Sequence, residues 1–178
     1  MIIGITGLAR SGKDTAAVHI AERYNFTHLD LGRDGLIPEA EKRGLETDKR
    51  SLSIFADELR QEGGMAIVAK LLLEKMKEEK NYIVTGFRSP EEVDLIRNEA
   101  SGDFYLIEVH ADKLERYARR TDKDPQDVEE FFERDRRDMV NKGLDKVLKM
   151  ADFKILNEGT LEELYENADK VVEKIMEM

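Results

Sequence analysis

Apolar residues along the chain alternate between short dense runs and longer stretches with helical spacing. The short runs predict strands at 2–6, 27–31, 82–85, 104–110 and 153–156. Three of them are built from Ile2, Ile3 and Ile5, from Tyr82, Ile83 and Val84, and from Phe104, Tyr105, Leu106, Ile107 and Val109. Such β-branched and aromatic composition suits strands buried on both faces of a parallel sheet. Helical stretches lie between the strands. The alternation predicts an α/β fold in three layers, a parallel sheet with helices on both faces.

Three helix starts are marked by local chemistry. Ser89-Pro90-Glu91-Glu92 offers an N-cap serine, a proline at the first helical position and a capping-box glutamate. Thr160-Leu161-Glu162-Glu163 is a second capping box, and Asp124-Pro125-Gln126-Asp127 predicts a third start. The last helix carries Leu161, Leu164, Tyr165, Ala168, Val171, Val172, Ile175 and Met176 on one stripe, the spacing of a helix packed on a sheet. Two regions interrupt the alternation: a helical insert over about 36–80, and a strongly charged stretch over 116–137. Both follow a strand, and in open parallel sheets ligands collect at the carboxyl ends of strands.

Gly7, Leu8, Ala9, Arg10, Ser11, Gly12, Lys13, Asp14 and Thr15 follow the first strand and open the first helix. In a phosphate-binding loop of this pattern the glycines let successive backbone N–H groups face phosphate oxygens. The lysine reaches the terminal phosphates, and the helix N-terminus adds partial positive charge. The position after the lysine, where such loops carry a magnesium-ligating Ser or Thr, is Asp14. A carboxylate there is a candidate metal ligand, and it repels phosphate when no metal is bound. Nucleotide binding is therefore expected to depend strongly on magnesium.

The chain has 178 residues and a net charge of -10, which opposes the approach of a nucleic-acid backbone. It has no cysteine, so neither a disulfide framework nor a thiolate metal site is open to it. No apolar run reaches the roughly 18 residues of a membrane span, and the first residues lack a signal-peptide pattern. A cytoplasmic protein without membrane or nucleic-acid partners is expected. His19, His28 and His110 lie singly, without metal-ligand spacing, and read as packing residues.

The motifs narrow the class. Asn141-Lys142-Gly143-Leu144 lacks the aspartate of a GTP-binding switch. Motor- and AAA-type ATPases call for an acidic pair at the end of the third strand, which instead ends in Thr85-Gly86-Phe87-Arg88. Asp30, at the end of the second strand, is placed to orient or deprotonate an acceptor hydroxyl. Arg60, on the insert, is placed to meet an acceptor phosphate.

In the order of these motifs the chain resembles the nucleoside-monophosphate kinases, with adenylate kinase, dephospho-CoA kinase and adenylate-kinase-related archaeal proteins among them. The resemblance covers nearly the whole chain. It rests on residues 7–15, on Thr85-Gly86-Phe87-Arg88, on Arg116, Arg119 and Arg120, and on residues 151–157 with Gly159. Lys42-Arg43-Gly44-Leu45-Glu46 and Phe132-Glu133-Arg134-Asp135 tie it to the archaeal relatives. It implies a five-stranded parallel sheet with an acceptor-binding insert (about 36–80) and a lid (about 114–140), in one P-loop kinase domain. It implies ATP and magnesium. Gly86 and Arg88 would hold the acceptor phosphate, Arg116 would stack on adenine, Arg120 would reach the phosphates, and Asn157 would lie beside adenine. The chain departs from the pattern in two places. Thr85 replaces an acidic residue that helps hold magnesium, and the arginine of the acceptor helix is out of register, with Arg33 the nearest.

The expected activity is transfer of the ATP γ-phosphate to a nucleoside or deoxynucleoside monophosphate, with Lys13, Arg88, Arg120 and Asp30 as the catalytic set. Phosphorylation of a hydroxyl, as in dephospho-CoA kinases, is one alternative. A nucleotide-binding ATPase or regulatory switch without a small-molecule acceptor is another.

Overall fold

Five strands, β1 (Ile2–Thr6), β2 (Thr27–Asp30), β3 (Tyr82–Thr85), β4 (Phe104–His110) and β5 (Phe153–Leu156), form one parallel sheet in the order β2-β3-β1-β4-β5. The computed structural model describes residues 1–77, 80–140 and 143–178. Asn141 and Lys142 of the GTP-switch-like tetrapeptide, and residues 78–79 of the insert, lie outside it. The expected three-layer α/β architecture is observed.

Strand alternation sorts the core into two layers. Ile3, Ile5, Ile83, Ile107, Val109 and Ile155 face α1 (Lys13–Arg23) and α9 (Leu161–Met176), meeting Ala16, Ala17, Ile20, Leu164, Ala168 and Val172. Of the stripe read on α9, the ends Leu161 and Met176 are exposed. On the other face Ile2, Val84 and Leu106 pack against α2 (Ile37–Lys42), α3 (Lys49–Gly63), α4 (Ile67–Leu73), α5 (Pro90–Glu99) and α8 (Leu144–Lys149). Gly4 of β1 sits on this side because a Cβ there would lie 2.8 Å from Leu106 and 3.0 Å from Phe87. Burying each large aliphatic side chain is worth about 1.5–3 kcal/mol, so the two layers supply most of the driving force.

Both capping boxes form as read: Ser89 with Glu92, and Thr160 with Glu163, exchange their reciprocal bonds. Three boundaries differ from the sequence reading. β2 stops at Asp30, whose side chain accepts from the N–H groups of Gly32 and Arg33 and starts a π-helical turn, Leu31–Leu36. The insert therefore begins at Leu31, five residues earlier. The helix expected from Asp124 starts later, as α7 (Val128–Val140), where the Asp127 carboxylate accepts from Glu129 and Glu130 N–H. The Asp124 carboxylate is drawn to two arginines instead. α6 (Lys113–Ala118) is a short helix leading toward it.

Because all strands are parallel, Thr6, Asp30, Thr85 and His110 end on the same edge of the sheet. Register sets neighbours there: Asp30 pairs with Thr85. Among the described residues no helix is long and apolar enough to cross a membrane.

Candidate functional site

The loop between β1 and α1 is tightly coiled. Gly12 caps α1 at φ +93°, and Arg10 adopts a left-handed conformation at φ +64°. A Cβ at Gly12 would run into the Asn157 amide, and one at Gly7 would meet Ser11 Oγ and the Val109 carbonyl. Asn157 Nδ2 donates to the Ser11 carbonyl at 2.8 Å, which ties the β5–α9 connection to the loop. Ser11 Oγ is buried with no hydrogen-bond partner among the described residues. Lys13 Nζ donates to Asp14 Oδ2 at 2.9 Å. The Asp14 side chain is 72% exposed, and Thr15 is exposed beside it. A glycine cradle with an orphaned hydroxyl fits a triphosphate, and an exposed carboxylate in the first turn of α1 fits a hard divalent cation.

The charged stretch after β4 is clamped to this loop. Arg116, 4% exposed, lies beneath the loop: its guanidinium donates to the carbonyls of Ala111 and Ala9 and to Asp135 Oδ2 at 2.6 Å. All three of its nitrogens are engaged, so Arg116 is a strut under Ala9. Arg119 donates to the Asn157 carbonyl at 3.0 Å, and Arg120 to the Tyr117 carbonyl at 3.1 Å while stacking on the Tyr117 ring. Both lie beyond the end of α6. Arg119 Nη1, Arg120 Nε, and Arg134 Nε and Nη2 are buried without hydrogen-bond partners among the described residues. Unfilled guanidinium donors beside a phosphate cradle are suited to anion binding.

Asp124, read from the sequence as a helix start and not as a site residue, joins the loop to the charged stretch after β4. Its carboxylate accepts from Arg10 Nε at 2.7 Å, Arg134 Nη1 at 2.6 Å and Thr121 N–H at 2.8 Å. Burial disfavours its ionised form, but the Thr121 N–H and the Arg10 and Arg134 guanidinium groups outweigh that and hold the carboxyl far below the ordinary range.

On the other side of the loop, Asp30 Oδ2 accepts from the Thr85 hydroxyl at 2.8 Å, and Thr85 Oγ1 lies 3.0 Å from His28 Nε2. Thr85, which stands where the resembled kinases carry an acidic residue, is thus hydrogen-bonded to a carboxylate of the neighbouring strand. Gly86, at φ +90°, is needed here, since its Cβ would stand 2.8 Å from Asp30 Oδ2. Burial, then the Arg33 guanidinium, lowers the pKa of His28. His28 is therefore part of a polar chain at the site, which corrects its reading as a packing residue. Arg33 folds back onto Asp34 Oδ2 at 2.7 Å and the His28 carbonyl at 3.1 Å. It braces the π-helical turn.

Arg88 is exposed, and its guanidinium has no side-chain partner among the described residues. The salt bridge open to it is taken by another residue: Glu92, 1% exposed, accepts from the backbone N–H of Arg88 at 2.6 Å and of Ser89 at 3.2 Å, and faces Arg60 Nη2 at 3.8 Å. Burial raises the pKa of Glu92 against the pull of these partners. Arg60 Nε is buried and unpartnered. The insert and the β3–α5 loop therefore bring Arg60 and Arg88 to the same carboxylate, one by its side chain and one by its backbone. His110 and Asp112, with Glu158 from a later part of the chain, also meet near the ends of β4 and β5, with ligand atoms within 4.8 Å of one another.

Comparison with known proteins places this geometry. A family model described as an AAA domain matches residues 3–142, so the setting-aside of AAA-type proteins from the end of β3 does not hold at the level of family. A UPF0200 protein of Thermococcus onnurineus (strain NA1) is 35% identical over 185 residues, covering 99% of this chain and 98% of that one. A UPF0200 protein of Pyrobaculum aerophilum is 36% identical over 176 residues, covering 96% of each. Among solved structures, TT1252 from Thermus thermophilus aligns with a TM-score of 0.62 at 24% identity, covering 98% of this chain and 96% of that one. The shikimate kinase of Aquifex aeolicus vf5 aligns at 0.57 and 20% identity, covering 99% and 98%. The structural likenesses speak for a P-loop kinase-like fold; the sequence likenesses, over almost its full length, make the chain a member of the UPF0200 family.

Proposed function

We propose that this protein is a magnesium-dependent phosphotransferase that moves the ATP γ-phosphate to a small, anionic, nucleotide-like acceptor. The observation that carries this reading is that one end of the sheet bears a glycine cradle with Lys13, the Asp30 carboxylate and, three residues past β3, the exposed Arg88. Phosphoryl transfer asks a protein mainly for positioning and charge neutralisation. The loop N–H groups and Ser11 hold the phosphates, and Lys13 leaves Asp14 to reach the terminal ones. Asp14 is the residue that would hold magnesium, which supplies charge neutralisation at the phosphate oxygens when bound. Arg119, Arg120 and Arg134 offer their free donors from the lid side.

Arg60 and Arg88 would grip an anionic group of the acceptor, where a planar fork binds two oxygens at once. Asp30 favours a hydroxyl as the reacting group: a carboxylate there accepts a hydroxyl proton, whereas an ionised phosphate would meet like charge. The paired arginines support the second reading, a nucleoside monophosphate acceptor. A coupled ADP-release assay against nucleoside monophosphates and dephospho-CoA tests both. Turnover stimulated by an acceptor is the expected result. Slow hydrolysis indifferent to every acceptor would replace the kinase reading with that of a nucleotide-dependent switch.

A further inference from the structure

We propose that His28, acting through the Thr85 hydroxyl, is a positioning residue for Asp30, holding one oxygen lone pair of that carboxylate open toward the acceptor. The inference rests on the phosphotransferase reading and deepens it: the reacting group of the acceptor is a hydroxyl.

Proton counting fixes the direction of the chain. Thr85 has one hydroxyl hydrogen. Asp30 Oδ1 already accepts two backbone N–H groups, from Gly32 at 2.9 Å and Arg33 at 3.0 Å. Its other oxygen, Oδ2, accepts from the Thr85 hydroxyl at 2.8 Å, which uses that single hydrogen. The same hydroxyl then accepts from His28, 3.0 Å away, so Nε2 carries the imidazole hydrogen. Half-burial and the Arg33 guanidinium keep that ring neutral, which suits a single donated hydrogen. Donation along His28–Thr85–Asp30 polarises each bond and stiffens the next.

A carboxylate offers about four acceptor positions. Two on Oδ1 and one on Oδ2 are filled. The remaining position on Oδ2 is unfilled among the described residues, and because a Cβ at Gly86 would stand 2.8 Å from that oxygen, glycine there keeps a side chain off it. That opening adjoins the loop bearing Arg88. An acceptor hydroxyl seated there would lose its proton to Asp30 Oδ2 as its oxygen bonds to the γ-phosphorus. The bond from that phosphorus to the ADP oxygen breaks, and its electron pair leaves with ADP.

The test uses MgATP alone, with water as the acceptor, so it does not depend on knowing the substrate. Thr85→Val and His28→Leu are expected to lower kcat for hydrolysis about tenfold, within the range of general-base effects, with KM for ATP changed less than about twofold. Thr85→Ser and His28→Gln, which keep the donors, should recover most of the rate. In an Asp30→Asn background, Thr85→Val should have no further effect, because its action passes through Asp30. An equal loss in both backgrounds, or an unchanged kcat in Thr85→Val, would overturn the proposal. ¹⁵N NMR of the His28 ring in the nucleotide-free wild type gives an independent readout. The Nε2–H tautomer is expected, and an Nδ1–H tautomer rules the chain out whatever the kinetics show. Intact non-additivity with no acceptor-stimulated turnover would overturn the kinase reading alone.

Discussion

Arg10 Nε, on the phosphate loop, donates to the Asp124 carboxylate at 2.7 Å across 114 residues of sequence. Arg134 and Thr121 share the same carboxylate, so one side chain pins the lid stretch to the loop. Asp124→Asn keeps the shape and loses the charge. The expected cost is about 2 kcal/mol, in line with hydrogen bonds to charged groups, read as a melting point lower by roughly 4–8 °C. The sign of the pH dependence follows from a carboxyl whose folded pKa is depressed. Its contribution is complete above the unfolded value near 3.8 and is lost as the pH falls toward the folded one. Acid titration of stability should therefore be flatter in Asp124→Asn than in wild type.

The Lys13–Asp14 contact makes a separate prediction about metal. Without magnesium, Asp14 both occupies Lys13 and repels phosphate. Asp14→Asn should raise ATP affinity in EDTA by about tenfold, equivalent to roughly 1.4 kcal/mol, and shrink the effect of adding magnesium. Titration with a fluorescent ATP analogue measures both. Lys13→Ala should weaken binding by at least about tenfold with or without metal. Unchanged EDTA sensitivity in Asp14→Asn would remove Asp14 from the metal site.

Arg116 and Asp135 form a buried pair beneath Ala9. Arg116→Met leaves Asp135 charged and unpaired, and should destabilise the protein by about 3–5 kcal/mol. The double variant Arg116→Met, Asp135→Leu should recover part of that stability, since replacing both ions with apolar groups is often neutral. ATP affinity should stay reduced in the double variant, because the Ala9 carbonyl has lost its donor. Chemical denaturation and nucleotide titration on the same samples separate the two effects.

Glu92 carries the opposite pH signature. Burial raises its folded pKa above the ordinary carboxyl value near 4.5. The folded state then binds the proton more tightly than the unfolded one, so this group favours folding at low pH. That contribution is lost as the pH rises from near the unfolded value through the folded one. Glu92→Gln should remove this dependence, and its stability relative to wild type should rise with pH across that window. Urea melts between pH 4 and 7 provide the check. If Arg60 outweighs burial in solution, the slope reverses.

What could be read along the chain was local. Strand composition, the loop of residues 7–15 and the capping boxes at Ser89 and Thr160 each depend on neighbours within a few residues, and each stands in the structure where the sequence placed it. The late start of α7 came from tertiary competition: Asp124 has cap chemistry, but two arginines claim its carboxylate. The early end of β2 came from a local cap, Asp30 on the N–H groups of Gly32 and Arg33. Arg116 matched a lid arginine by spacing, yet spacing does not say that its side chain turns inward to Ala9 and Asp135. His28 looked isolated because parallel register, which the sequence does not state, is what sets β2 beside β3 and closes the chain to Thr85 and Asp30.

The amino-acid pattern alone therefore determined the layers, the cradle and its lysine, since short-range sterics and burial decide those. Only tertiary structure settled which charges face one another. Side-chain partners across the sheet edge lie tens to more than a hundred residues apart, and a buried charge takes whichever counter-charge packing brings within reach.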